Sequence, residues 1–283
     1  MVLAFSKKNP QRKKIKNFWI FFVILVFLFP LSDLFPILPV DGALASLYSE
    51  KQGELVQRLT SRGLSENYLI RIFSDSRVEL YPEIVERTGK GLNYLGRRFG
   101  LLTRKSVRQG KVLLQDNRIL LRKIEDAYGV DREILVSILR IETNFGRVKG
   151  QRPVFNSLLT MTLIENRRSA WAEEELGHLL MFCLEEKKDP FLLNGSWAGA
   201  FGLPQFIPSS YVRYGRDGDA DGVVDLNNLS DALASIANYL KAFGWSHKDV
   251  EKKKKALFAY NHCDQYVKAV LAYAQAIRPG SRH

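Results

Sequence analysis

The sequence predicts a mainly α protein, and three observations carry that expectation. Apolar residues recur at helical spacing in several segments, and glycines and an Asp-Pro pair punctuate those segments where strands would alternate. The chain also carries no internal repeat, no Rossmann glycine fingerprint and no phosphate loop. Its 283 residues leave room for one large domain or two small ones, with a sizeable core.

Residues 1–45 stand apart from the rest. Lys7, Lys8, Arg12, Lys13, Lys14 and Lys16 precede Phe18–Phe29, a run of twelve apolar residues. The run is shorter than the ~20 residues a helix needs to span a bilayer, so the segment reads as an export signal. Ala43-Leu44-Ala45 offers a small-x-small cleavage site, with an uncleaved inner-membrane anchor as the competing reading. No cysteine follows the run, so no lipoprotein anchor is expected. A helical N-terminal region is expected over 46–105 and a main domain over 106–278.

Ser46–Arg62 and Ser65–Ser74 read as two short helices with Gly63 between them. A turn at Arg77–Pro82 leads to a further helix, and Gly89, Gly91, Gly96 and Gly100 then mark a loop-rich stretch. Val112–Tyr128 is amphipathic and is stopped by Gly129. Asp131 is placed to cap the next helix, in which Leu135, Ile138, Leu139 and Glu142 fall on one face. Ala170–Glu186 is another helix, ended by Asp189-Pro190. Ser230 is expected to cap a helix whose Leu233, Ile236, Ala237, Leu240 and Phe243 form a core stripe. Glu173, Glu174, Glu175 and the run Lys252–Lys255 are expected as solvated faces.

Glu142 is the first candidate for chemistry. A carboxyl on an apolar face has its charged form poorly solvated, which raises its pKa and keeps a proton available near neutral pH. Cleavage of a glycosidic bond needs such a general acid. The alternative is a helix-end glutamate that turns to solvent. A second motif, Gly195-Ser-Trp-Ala-Gly-Ala-Phe-Gly-Leu-Pro-Gln-Phe-Ile-Pro-Ser-Ser-Tyr211, mixes glycines, prolines and small residues with aromatics. It lets backbone approach a ligand closely and fixes two polar groups, Ser196 and Gln205. Its bland reading is a tight turn between helices.

A third constellation resembles a metal loop. Asp217-Gly-Asp219-Ala-Asp221-Gly222-Val223-Val224-Asp225 follows the first nine positions of an EF-hand calcium loop. Carboxylates at Asp217, Asp219 and Asp221 would converge with the Val223 carbonyl, and Val224 would point inward. Asn228 at the twelfth position cannot supply a bidentate carboxylate, but Asp231, three residues on, could close a lengthened loop. An Asp/Gly-rich surface turn is the competing reading. Calcium here would be structural, and no organic cofactor is expected.

With Glu142-Thr143-Asn144-Phe145-Gly146, the Gly195–Tyr211 segment and the later Tyr260, Asn261 and Tyr266, the chain resembles the lytic murein transglycosylases of the B-type (MltB-like) family. The match runs from about Gly110 to Trp245 and resumes at Ala256. The resemblance implies a lysozyme-like helical catalytic domain with an EF-hand-like calcium loop over 217–231. It further implies a lytic transglycosylase that cleaves the MurNAc-GlcNAc bond of peptidoglycan and leaves 1,6-anhydromuramic ends. Glu142 would be the lone catalytic acid, with Ser196 hydrogen-bonded to it. Gln205, Asn261, Tyr260 and Tyr266 would hold sugars and acetamide, with Phe145 as a further contact. Asp217, Asp219, Asp221, Val223 and Asp231 would hold calcium. One departure is the short lysine-rich link from Trp245 to Ala256, where relatives commonly carry a longer insertion. A true lysozyme-type hydrolase and a non-catalytic peptidoglycan-binding protein are the rival readings.

Charge and cysteines agree with an exported enzyme. The net charge is +12, or +8 without residues 1–45, which hold six basic and two acidic residues. A basic surface suits an acidic polymer; peptidoglycan glycan strands fit, and the export signal argues against nucleic acid. A monomer in the periplasm or cell envelope is expected. Cys183 and Cys263 are expected as free thiols, and the four histidines lack the paired spacing of a zinc site.

Overall fold

The computed structural model describes residues 42–86 and 92–281, with side chains from Glu50 onward. The basic and apolar stretches of the expected export signal, and Gly89 and Gly91, lie outside the described residues. Two compact units divide the chain, Met1–Glu50 and Lys51–His283. Of the first, the described part is the beginning of α1 (Gly42–Ser61). Among the described residues, no helix is long and apolar enough to cross a membrane.

The second unit is helical almost throughout, as its periodicity predicts. Gly63 takes φ 96° and turns the chain from α1 into α2 (Glu66–Phe73). Leu55 and Leu59 of α1, with Leu69 and Ile72 of α2, are buried in the core. The helix expected after Pro82 is a single 3-10 turn, Pro82–Ile84. The amphipathic stretch 112–128 is two helices, α3 (Arg104–Asp116) and α4 (Arg118–Tyr128), and not one. The break lies at Asn117, whose side-chain amide and backbone N–H both donate to the Leu113 carbonyl at 3.1 Å. A side chain that competes for the backbone in this way interrupts a helix. Gly129 closes α4 in the left-handed conformation, φ 70°.

α5 (Arg132–Thr143) packs between α3, α4, α9 and α11 and is the spine of this unit. Leu135, Ile138 and Leu139 are at most 1% exposed, and burial of each contributes about 2 kcal/mol. Asp131 occupies the N-cap position, but its side chain makes no cap hydrogen bond. Its carboxylate instead accepts from Lys253 Nζ at 2.8 Å and lies 2.8 Å from His247 Nδ1. Lys253 is therefore not part of a solvated face: its side chain is 15% exposed and its ammonium lies over the Trp245 ring. The short link after Trp245 is thus tied to the start of α5.

The remaining helices are α6 (Val154–Leu163), α7 (Ser169–Glu185), α8 (Pro208–Tyr214), α9 (Leu229–Ala242), α10 (Val250–Tyr260) and α11 (Asp264–Ile277). A two-stranded antiparallel ladder joins β1 (Arg152–Pro153) to β2 (Asn194–Gly195). Two expectations for solvated or capping residues change here. Glu175 is buried and accepts from the Ser209 N–H at 2.9 Å and hydroxyl at 2.8 Å, and Glu173 pairs with Arg58 and Arg62. Asn228, not Ser230, caps α9, accepting from the Ser230 N–H at 2.8 Å. Cys183 is a buried free thiol on α7, and Cys263 is free and half-buried.

Candidate active site

Glu142 stands in the last turn of α5, where three successive residues have positive φ: Asn144 at 49°, Phe145 at 60° and Gly146 at 83°. A left-handed phenylalanine costs about 1–2 kcal/mol, so the surroundings must hold this turn. The Phe145 N–H donates back to Leu139 O at 3.0 Å, and the Thr143 hydroxyl donates to Leu203 O at 3.2 Å while accepting from the Gly146 N–H at 3.0 Å. Thr143 thereby staples the end of α5 to the Gly195–Tyr211 segment.

That segment is closely packed, as its composition predicts. A side chain at Gly195 would collide with the Ala200 carbonyl, and one at Gly150 with the Gly195 carbonyl. Gln205 is non-glycine at φ 51°, and its amide donates to Gly202 O at 3.0 Å and Lys149 O at 3.2 Å. Tyr260 fastens the same segment from α10 by donating to Pro204 O at 2.7 Å.

The geometry around Glu142 is aromatic. Tyr266, fully buried at the start of α11, donates from its hydroxyl to Glu142 Oε1 at 2.6 Å. The Tyr260 ring lies parallel to that of Tyr266, with centroids 6.2 Å apart, and Tyr94 meets Tyr266 edge-on at 5.7 Å. Burial drives the Glu142 carboxyl up to about 7, partly opposed by the Tyr266 hydrogen bond. Burial and then the Glu142 charge push Tyr266 and Tyr260 well above the usual tyrosine value. Tyr94 is pushed up to about 12 by burial and then Glu142, with an Asn261 hydrogen bond working the other way. All three phenols thus keep their protons at neutral pH and can act as donors.

The structure brings Glu142, Tyr260, Asn261 and Tyr266 into one neighbourhood. It does not pair Ser196 with Glu142: the Ser196 oxygen accepts from the Ala198 and Ala200 N–H groups at 3.3 and 3.1 Å, which shapes its own loop. Tyr266 takes the expected place of Ser196 as the hydroxyl on Glu142. Phe145 is half-buried against the core and lines a groove with α3. Sequence reasoning missed Tyr94 and Thr143. Tyr94 lies in glycine-punctuated loop sequence with no periodicity to mark it, whereas Thr143 stood beside Glu142 in the quoted motif.

The acidic loop is assembled only in part. Carboxylate oxygens of Asp217, Asp219 and Asp231 lie within 4.8 Å of one another. Asp221 is outside that group; its carboxylate accepts from the Val223 N–H at 2.8 Å. The Val223 side chain is exposed, and Val224 packs on the core as expected, its carbonyl accepting from Tyr211 at 3.1 Å. Asp231 accepts from the Gly218 and Asp225 N–H groups, and Asn228 donates to Asp219 at 2.6 Å. Backbone N–H groups of Gly222, Ala220 and Asp221 hold Asp217 below the ordinary carboxylate value.

Known proteins share the family and the fold of this chain. The transglycosylase SLT domain family matches residues 48–251. Membrane-bound lytic murein transglycosylase B of Escherichia coli (strain K12) is 38% identical over 148 residues, 52% of this chain and 41% of that protein's length. The chain therefore spans well under two thirds of that relative. Among solved structures, the Escherichia coli lytic transglycosylase SLT35 in complex with calcium superposes with a TM-score of 0.72 at 25% identity, covering 80% of this chain and 92% of that one. SltB3 from Pseudomonas aeruginosa, in complex with NAG-anhNAM-pentapeptide, gives 0.74 at 25% identity over 83% of this chain and 80% of that one. With the helical fold, the glutamate at the end of α5 and a family match over most of its length, the chain belongs to the transglycosylase SLT domain family, alongside the B-type lytic murein transglycosylases.

Proposed function

We propose that this protein is a lytic transglycosylase that cleaves the MurNAc-GlcNAc bond of peptidoglycan, with Glu142 as its single acid and base. The observation that carries the reading is a half-buried carboxyl whose pKa is raised to about 7 and which is held by Tyr266. Such a group is protonated often enough near neutral pH to give up a proton, and ionised often enough to take one back. Glu142 protonates the bridging oxygen, the C1–O bond of the muramyl sugar breaks, and the GlcNAc end leaves with that proton. The muramyl N-acetyl oxygen stabilises the cation at C1. Glu142, now ionised, removes the proton from the C6 hydroxyl, whose oxygen bonds to C1 and closes the 1,6-anhydro ring. No water is consumed.

A glycosidase that uses water needs a second carboxylate across the ring. Burial raises the Glu142 carboxyl against the opposing Tyr266 bond, and the side chain hydrogen-bonded to it among the described residues is a phenol, not a second acid. This favours the internal nucleophile. Tyr266 orients Glu142, while Tyr260, Tyr94, Asn261, Gln205 and Phe145 supply donors and faces for the sugars. We assign 106–278 as the catalytic domain and 46–105 as a helical N-terminal region. The basic and apolar stretches before residue 42 and the family support export to the periplasm or cell envelope.

Calcium is proposed at Asp217, Asp219 and Asp231. Three carboxylates within 4.8 Å form a hard oxygen donor set, which suits a hard divalent cation. Bound calcium would offset their repulsion and brace the loop against Tyr211 through Val224. Digestion of purified sacculi tests the enzymatic reading. The wild type should release anhydromuropeptides and Glu142→Gln none; a wild type that releases nothing would leave only a binding protein.

A further inference from the structure

Arg140 lies on α5 two residues before Glu142, is 8% exposed, and forms no ion pair among the described residues. Burying a charge without a counter-charge is costly, so such a cation needs its donors satisfied. Nε donates to the Ser106 hydroxyl oxygen on α3 at 2.8 Å, and Nη2 donates to the carbonyls of Phe99 and Gly100 at 3.3 and 3.4 Å. The guanidinium carbon also lies 5.5 Å from the centre of the Phe99 ring. Both carbonyls belong to the turn-rich segment 92–103, whose own backbone hydrogen bonds are all local. Among the described residues, the hydrogen bonds that tie the backbone of this segment to a helix beyond α3 come from Arg140.

We propose that Arg140 is a positioning residue for the cleavage reaction: by clamping segment 92–103 it seats Tyr94 against the Glu142–Tyr266 pair and keeps water from that side of the acid. The proposal rests on the enzymatic reading of Glu142. A chain of contacts links the two ends. Phe99, beside the guanidinium, meets Tyr94 edge-on at 5.4 Å, Tyr94 meets Tyr266 edge-on at 5.7 Å, and Tyr266 donates to Glu142 at 2.6 Å. Tyr94 is 8% exposed and feels the Glu142 charge. The clamp suits a rigid guanidinium fork, which serves three acceptors at once, where an ammonium is a single point on a flexible stem. The titratable groups that face Glu142 are the phenols of Tyr94, Tyr260 and Tyr266, whereas those acting on Arg140 are Tyr273 and Arg147. Burial and Tyr266 set the Glu142 pKa, so Arg140 acts on it through Tyr94 and not through its own charge. Loosening the clamp would admit water beside Glu142, relieve the burial that raises its carboxyl, and lower its pKa, the direction opposite to loss of Tyr266.

The test uses the full chain with Arg140→Lys, Arg140→Met and Tyr94→Leu, assayed on purified sacculi as pH-rate profiles, together with amide hydrogen exchange over 92–103. Exchange in this segment should quicken in both Arg140 variants, which reads the clamp without any activity. The alkaline limb should move down by about one pH unit in Arg140→Lys and in Tyr94→Leu, leaving about a tenth of the protonated acid at pH 8. Adding Arg140→Lys to Tyr94→Leu should move the limb no further, since both act through one ring. If Arg140→Met fails to fold, Arg140→Lys, which keeps the charge on a straight stem, carries the test. An alkaline limb that stays at its wild-type pH in Arg140→Lys, shifts that add in the double variant, or unchanged exchange over 92–103 overturns the proposal. Failure of the enzymatic reading looks different: the wild type would then give no pH-rate profile, while the exchange would still decide the clamp.

Discussion

The hydroxyl of Tyr266 lies 2.6 Å from Oε1 of Glu142, joining the first turn of α11 to the last turn of α5 across 124 residues of sequence. The phenol keeps its proton, because burial and the Glu142 charge both oppose its ionisation. It therefore donates to the carboxylate and favours the ionised form, pulling against the burial that raises Glu142 to about 7. Two opposing effects set the protonation of one carboxyl.

Removing the donor should shift that balance. In Tyr266→Phe the Glu142 pKa should rise above about 7, so the alkaline limb of the activity profile should move upward, with a lower kcat from a less firmly held carboxyl. A pH-rate profile of the variant measures it. An alkaline limb that stays in place would show that Tyr266 does not tune Glu142.

Glu142 should also cost stability, in a pH window that its shift defines. The folded pKa of about 7 exceeds the ordinary 4.5, so between these values the folded state binds more protons than the unfolded one. Stability is thus full below about 4.5, falls as pH rises toward 7, and stays lowered above it. Glu142→Gln removes the titration and should be more stable than wild type by on the order of 1–3 kcal/mol at pH 8, allowing for partial exposure. Near pH 4 the two should unfold alike. Urea denaturation at both pH values checks this, and an equal difference at both would refute the assignment of burial as the cause.

Much of this site was legible before the fold was known. The apolar stripe of Leu135, Ile138 and Leu139 placed Glu142 on a buried face, and the glycines of the 195–211 segment marked backbone approaches that Gly195 and Gly150 make. Contacts between distant side chains were not legible. Nothing in the spacing around Asp131 says that Lys253 will neutralise it, since local capping and a long-range ion pair use the same carboxylate. Asn117 looked like one polar position in an amphipathic helix, yet its amide breaks that helix. The partner of Glu142 was misjudged for a similar reason: Ser196 turns inward to its own loop, and only the docking of α11 on α5 brings in Tyr266.

The Asp131–Lys253 pair should matter to folding. Asp131 is 4% exposed at its side chain, so Lys253→Met leaves a buried carboxylate near Glu125 and Glu133 with the exposed His247 as its remaining side-chain partner among the described residues. That should destabilise the protein by about 3 kcal/mol. The double variant Asp131→Asn/Lys253→Met should recover a substantial part, because no unpaired charge remains. Equal losses in single and double variants, by denaturation, would argue that Lys253 acts only through packing on Trp245.

Calcium should raise the melting temperature by mass action, with about 2.7 kcal/mol of stabilisation at a hundredfold excess over Kd. Asp217→Asn and Asp231→Asn should abolish the response, since both belong to the converging group. Asp221→Asn should keep most of it, its carboxylate being engaged with the Val223 N–H. A variant at Asp221 that loses the full response would restore the ordinary loop register.

The central claim is that Glu142 works alone and the substrate supplies the nucleophile. Digestion of purified sacculi in oxygen-18 water, followed by mass analysis of the released muropeptides, tests it most directly. The account predicts 1,6-anhydromuramic ends with no label incorporated. Reducing-end muramic acid carrying the label as the main product would contradict it and make the protein a hydrolase.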